Sequence, residues 1–92
     1  MMSFCEKTVE IVNLRGLHAR AAARFVKTAE LHQACVTVFK DDMAVGGLSI
    51  MGLLMLAAAK NSRIRISAEG DGAEEALNAL VELVECGFGE DA

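Results

Sequence analysis

The chain has no tryptophan and no tyrosine, and only four phenylalanines among 92 residues. It therefore lacks the aromatic platforms on which single-stranded nucleic acids stack. It also lacks excess positive charge. Nine basic residues against thirteen acidic ones leave a net charge of −4, which argues against nucleic acid as a partner. No apolar run approaches the ~20 residues that cross a bilayer, and the longest, Leu53 to Ala59, is far too short. The opening Met1-Met2-Ser3-Phe4-Cys5 has neither a basic head nor an apolar signal segment, so a cytoplasmic protein with no membrane partner is expected. The cysteines, Cys5, Cys35 and Cys86, are few, odd in number and widely spaced. Neither His18 nor His32 stands at metal-ligand spacing to them. The expectation is free thiols, no metal and no cofactor.

No linker, internal repeat or low-complexity segment interrupts the sequence, and its length suits one domain over residues 1–92 with a modest core. Lys7 to Val12 reads as a first strand, with Val9 and Ile11 on one face. A helix is predicted from Ala19 to Leu31, with Ala22, Phe25, Val26 and Ala29 inward and Arg20, Arg24 and Lys27 outward. Cys35 to Lys40 and Met43 to Val45 read as strands joined by a turn at Asp41-Asp42. Ser49 is the expected N-cap of a helix over Ile50 to Ala59. Arg63 to Glu69 has the clearest alternation: Ile64, Ile66 and Ala68 on one face, Arg65 and Ser67 on the other, with Arg63 and Arg65 solvated. Asp71-Gly72-Ala73-Glu74 resembles a capping box ahead of a helix striped by Leu77, Leu80, Val81 and Val84, with Gly87 as its stop.

The order is β-α-β-β-α-β-α. Right-handed crossovers put the helices on one face. A split β-α-β pairing inserts the fourth strand between the first and second. The expected fold is an α/β two-layer open-faced sandwich, with an antiparallel sheet in the order 1-4-2-3 and one face open to water.

His18 is the candidate for chemistry. It lies in Gly16-Leu17-His18-Ala19-Arg20, where a loop becomes a helix. The first turn of a helix has unpaired N–H groups and favours an anion. Neutral imidazole is a nucleophile, and Arg20 can pair with the oxygens of a phosphoryl group the ring acquires. A dipole contribution of about 0.3–2 kcal/mol and a charge-assisted hydrogen bond of roughly 1.5–3 kcal/mol hold free phosphate only near the millimolar range. A covalent phosphohistidine is the species such a site would retain. Lys7, Arg15, Arg20, Arg24 and Lys27 fall in the first third, whereas acidic residues gather from Glu69 onward. One basic surface is expected, suited to an acidic partner. A self-sufficient phosphohydrolase is disfavoured, because no acid is evident near His18 to protonate a leaving group.

Gly16-Leu17-His18-Ala19-Arg20 resembles the phosphorylation segment of the HPr family, the histidine-containing phosphocarriers of the bacterial phosphotransferase system. Ser49-Ile50-Met51-Gly52-Leu53 resembles that family's second signature, at the right separation and with the same strand order. The resemblance runs from about Lys7 to about Phe88. It implies a carrier, not an enzyme, that accepts a phosphoryl group on Nδ1 of His18 from enzyme I and passes it to an enzyme II A domain. It also implies that Arg20 contacts the phosphoryl group, that a kinase/phosphatase modifies Ser49 in some bacteria, and that Ile50 and Met51 dock partners. Leu54, Arg24 and Lys27 are expected to extend that docking surface on a monomer. The alternative is a regulatory binding module whose partner choice is set by phosphorylation at His18 or Ser49. Two positions depart from the family: Ala21 replaces the usual proline after the arginine, and Leu48 stands where a basic residue is common. Alanine is a strong helix former, so the helix is expected to start regardless. His32 reads as a surface residue at a helix end, and Met43 and Met55 as core filler.

Overall fold

In the computed structural model, which describes residues 3–91, the period-two pattern builds one sheet. Its strands are β1 (Phe4–Glu10), β2 (Cys35–Lys40), β3 (Met43–Gly46) and β4 (Arg63–Glu69). They lie in the order β1-β4-β2-β3 with every neighbouring pair antiparallel. The helices α1 (Ala19–Glu30), α2 (Ile50–Met55) and α3 (Ala73–Glu85) cover one face. Val9, Val36, Val38, Ile64, Ile66 and Ala68 point into the layer between sheet and helices. There they meet Ala22 and Phe25 of α1, Leu53 of α2, and Leu77, Leu80 and Val84 of α3. Burying these side chains is the main driving force, at roughly 25 cal/mol per Å² of apolar surface removed from water.

Three elements depart from the sequence-based expectations at their ends. β1 spans Phe4–Glu10, not Lys7 to Val12, because its register with β4 runs from Phe4↔Glu69 to Glu10↔Arg63. Beyond Glu10, Ile11 still pairs with the 61–62 turn: its N–H donates to Ser62 (2.8 Å) and its carbonyl accepts from Asn61 (2.7 Å). Asn61 is left-handed there (φ 76°), so the ladder stops. The second helix ends at Met55 rather than Ala59, because Ala57 turns left-handed (φ 51°). Leu56 and Ala58 remain buried, but in a turn whose carbonyl serves the His18 loop. The proposed capping box is absent. Gly72 (φ 75°) is the N-cap of α3 with no side-chain cap, and Glu74 and Glu75 instead complement the helix dipole from the first turn.

The open face is less solvated than the alternation implied. Ser67 is buried, and the Arg65 guanidinium lies 4.0 Å above the centre of the Phe39 ring while donating to Glu6 (2.7 Å). Arg65 thus covers the sheet with a cation–π contact. Met43 and Met55 are exposed, so neither fills the core. Met43 lies on the outer strand, and Met55 on the outward side of a helix that is too short to bury both flanks.

Candidate functional site

His18 is placed by the segment Ile11–Leu17, which leaves β1 and folds under the turn after α2. Gly16 is the pivot. Its φ is +66°, and a Cβ there would sit 2.5 Å from the Ala58 carbonyl oxygen and 3.0 Å from the Ala59 Cα. Only a residue without a side chain fits both constraints. The contact lets the next N–H, that of Leu17, donate to the Ala58 carbonyl at 2.9 Å. Leu17 is buried and anchors the loop.

His18 follows as the N-cap of α1, in extended conformation (φ −82°, ψ −179°). Its carbonyl accepts from Ala22 (2.8 Å) and starts the helix. Its side chain does not cap, and the first turn contains no acidic residue. The positive end of a twelve-residue helix is therefore left without a neutralising carboxylate of its own. Ala21 is buried and helical where proline was the family norm, so the missing proline does not delay the helix.

The sequence reading did not foresee what meets the imidazole. Nε2 of His18 is in direct hydrogen-bond contact with Oε2 of Glu90. The other carboxylate oxygen, Oε1, accepts from Nδ2 of Asn13 at 2.9 Å. Asn13 is itself buried, and its Nδ2 also donates to the Gly16 carbonyl at 2.8 Å. Two acceptors around one amide atom fix that atom as the nitrogen. The Glu90 and His18 side chains are only 16% and 18% exposed. Burial alone would push the Glu90 carboxyl up. Hydrogen bonds from Asn13 and His18, with the charges of His18 and Arg15, outweigh it and hold the group below its ordinary range. The expectation that no acid lies near His18 is thus overturned: the acid arrives from the other end of the chain.

Beside Glu90 opens a cleft of ≈ 380 Å³ lined by Leu14, Arg15, Arg20, Arg24, Gly89, Glu90 and Asp91. Arg20 and Arg24 are therefore neighbours, as expected, and Arg15 joins them. Arg24 is not a free rim charge, because it donates to the Phe88 carbonyl. Lys27 does not line the cleft but a neighbouring groove, with Thr28, Leu31, Leu83 and Arg24, which borders both. On α2, the Ser49 hydroxyl caps the helix by accepting from Gly52 N–H (2.9 Å). Ile50 (41% exposed) and Met51 (70%) are on the surface and not in the core; Leu54 is half-buried. α1 and α2 pack against each other, which puts both signature segments on the same side of the molecule.

The residues that sequence reading missed are Asn13 and Glu90; Arg15 was counted in the basic surface but not placed at the site. The spacing of Asn13 to Gly16 is a turn signal. The run Gly87-Phe88-Gly89 marks a sharp reversal that carries Glu90 back toward α1. Neither signal names its target, because the pairing spans almost the whole chain.

Known proteins resemble this chain in sequence and in fold. Residues 5–86 match the family described as PTS HPr component phosphorylation site. The phosphocarrier protein HPr of Neisseria meningitidis is 46% identical over 92% of this chain and 96% of its own. The HPr-like protein Crh of Halalkalibacterium halodurans is 40% identical over 87% of this chain and 95% of its own. Among solved structures, HPr from Thermoanaerobacter tengcongensis superposes with a TM-score of 0.91 at 46% identity, covering 96% of this chain and 99% of that one. The HPr dimer of the same organism gives a TM-score of 0.75 at 48% identity, over 89% of this chain and 94% of that one. A monomeric state is therefore not uniform among relatives. Among the described residues no helix is long and apolar enough to cross a membrane. With the fold, the two signature segments and relatives matched over nearly their full length, the chain belongs to the HPr family of phosphotransferase-system phosphocarriers.

Proposed function

We propose that His18 accepts a phosphoryl group from enzyme I on Nδ1 and passes it to an enzyme II A domain. One observation carries this: His18 stands at the N-terminus of α1 with Nε2 engaged by Glu90, while the helix end has no carboxylate of its own. The Nδ1 lone pair attacks phosphorus, and the donor–phosphorus bond breaks with its electron pair staying on the donor. The incoming phosphoryl oxygens meet the helix end and the Arg20 guanidinium. The exposed Ile50 and Met51 supply an apolar docking centre, with Leu54 at its edge and Arg24 and Lys27 farther along α1. The protein works in the cytoplasm, as a monomer, and as a covalent carrier with no catalytic cycle of its own.

Incubation with phosphoenolpyruvate and enzyme I, followed by mass spectrometry, tests the reading. Native protein gains one acid-labile phosphoryl group on His18, and His18→Ala gains none while keeping its fold. Arg20→Ala slows transfer more than it lowers stability. A fully phosphorylated His18→Ala variant would refute the assignment, and an unchanged rate in Arg20→Ala would remove the arginine from the step.

A regulatory layer at Ser49 is favoured by its exposure and by the Crh relative. A phosphate adds roughly −1.5 to −2 charges at a helix start that tolerates an anion, so the effect falls on docking by enzyme I and not on folding. Ser49→Asp is expected to accept the phosphoryl group more slowly at nearly native stability. Uptake at the native rate would exclude this regulation at the enzyme I step.

A further inference from the structure

Glu90 holds the ring nitrogen that a carrier acting through Nδ1 leaves unused. We propose that Glu90 is a positioning residue for phosphoryl transfer: its carboxylate keeps the proton on Nε2 of His18 and the lone pair on Nδ1. The inference rests on the carrier reading above and gives the Glu90 contact a role in transfer that the reading does not assign.

The contact is built from three directions. From below, Asn13 donates to Oε1 of Glu90 and to the Gly16 carbonyl, tying the carboxylate to the loop that places His18. From the C-terminal side, Gly87, Phe88 and Gly89 all have positive φ (68°, 57° and 75°), which reverses the chain after α3. A left-handed phenylalanine is strained and persists only when its surroundings hold it. Phe88 is fully buried, and Arg24 of α1 donates to its carbonyl. From the ring side, Nε2 reaches the remaining oxygen, Oε2. Core packing, a helix side chain and the loop thus converge on one carboxylate.

The chemistry follows from hydrogen-bond roles. Neutral imidazole has one N–H and one lone pair, and an ionised carboxylate only accepts. Against Glu90, Nε2 must be the donor, so Nδ1 is the nucleophile. When Nδ1 takes the phosphoryl group, the proton stays on Nε2 and the positive charge developing on the ring faces the carboxylate. In onward transfer the phosphorus–Nδ1 bond breaks and its electron pair returns to Nδ1. The ring then leaves as neutral imidazole, because Nε2 has kept its proton. Without that proton it would leave as imidazolate, a far poorer leaving group. The logic is that of the buried aspartate behind a triad histidine, with the two nitrogens exchanged.

The test is ring ¹⁵N NMR of the full chain at about pH 9, above the usual imidazole range, on native protein, Glu90→Gln and Glu90→Asp. Each variant also receives a melting curve and a measurement of phosphoryl transfer through His18. Native His18 is expected almost wholly as the Nε2–H tautomer. Glutamine also offers an N–H to Nε2, so Glu90→Gln raises the Nδ1–H population several-fold and slows transfer by roughly 10–100-fold, the range typical of orienting partners. Glu90→Asp keeps the charge and restores most of the tautomer bias and part of the rate. An unchanged tautomer ratio in Glu90→Gln overturns the inference, and so does a shifted ratio with native transfer. If native protein takes up no phosphoryl group, the carrier reading fails, while the tautomer measurement still judges Glu90.

Discussion

Replacing Gly16 by alanine should be the most damaging small change near the site, and its cost separates into two parts. The backbone part comes from φ +66°: holding a non-glycine residue left-handed costs about 1–2 kcal/mol. The contact part comes from the Ala58 carbonyl oxygen, 2.5 Å from the new Cβ, and the Ala59 Cα, 3.0 Å away. Both are main-chain atoms, so no side chain can swing aside. Relief requires the loop to withdraw, which lengthens the 2.9 Å bond from Leu17 to Ala58 and forfeits about 1 kcal/mol. The expected loss is about 2–3 kcal/mol, or roughly 10–20 °C in Tm for a domain of this size. Gly72 supplies the control. It has a similar φ of +75°, but a Cβ there meets nothing within 4 Å, so Gly72→Ala should show the backbone part alone. With neither tryptophan nor tyrosine, urea unfolding is best followed by far-ultraviolet circular dichroism. If Gly16→Ala and Gly72→Ala lose the same stability, the close approach to Ala58 contributes nothing and the account of how His18 is placed fails. The Gly16 variant should also transfer phosphate poorly even well below its melting temperature, because the displaced loop carries His18 and Asn13 with it.

Two further outcomes are expected. Met51→Ala should weaken enzyme I binding by roughly 1–2 kcal/mol, the size of a modest hot spot, with little change in stability because Met51 is 70% exposed; titration calorimetry with native-like affinity would remove Met51 from the docking surface. Stability should also depend on pH through Glu90, whose carboxyl is held below its ordinary range by Asn13, His18 and Arg15 despite its burial. A lowered folded-state value contributes stability that is fully present above about pH 5 and is lost as pH falls through the ordinary carboxylate range and below. The stability gap between native protein and Glu90→Gln should therefore narrow from about pH 5 toward pH 3, and a gap that is constant across that interval would contradict the sign.

The strands and helices were readable from the sequence because their signals are local. Ile64, Ile66 and Ala68 alternate within seven residues, and Leu77, Leu80, Val81 and Val84 repeat within two helical turns, so side-chain period alone assigns the elements and their inner faces. His18 and Arg20 were equally legible, since a loop-to-helix junction is a local event with a known electrostatic consequence. Element ends were not, because each is set by a partner elsewhere. α2 has helix-forming residues up to Ala59, yet it stops at Met55: Ala57 turns left-handed, and the Ala58 carbonyl beyond it accepts from Leu17. Asp71 has the right neighbours for a cap, yet Gly72 takes that position.

What the sequence by itself determined was the order of elements, the face each buries and a histidine at the start of α1. What only the tertiary structure decided was the company that histidine keeps. Arg15, Arg20 and Arg24 share a cleft with Glu90 because the turn at Gly87–Gly89 folds back over α1. Glu90 reaches His18 across 72 positions of sequence. Periodicity reports what a residue does relative to its own element, and it says nothing about which distant side chain the packed core will bring to it. A hydrogen bond between groups so far apart in the chain exists only after the core has closed, with Phe88 and Phe25 both fully buried.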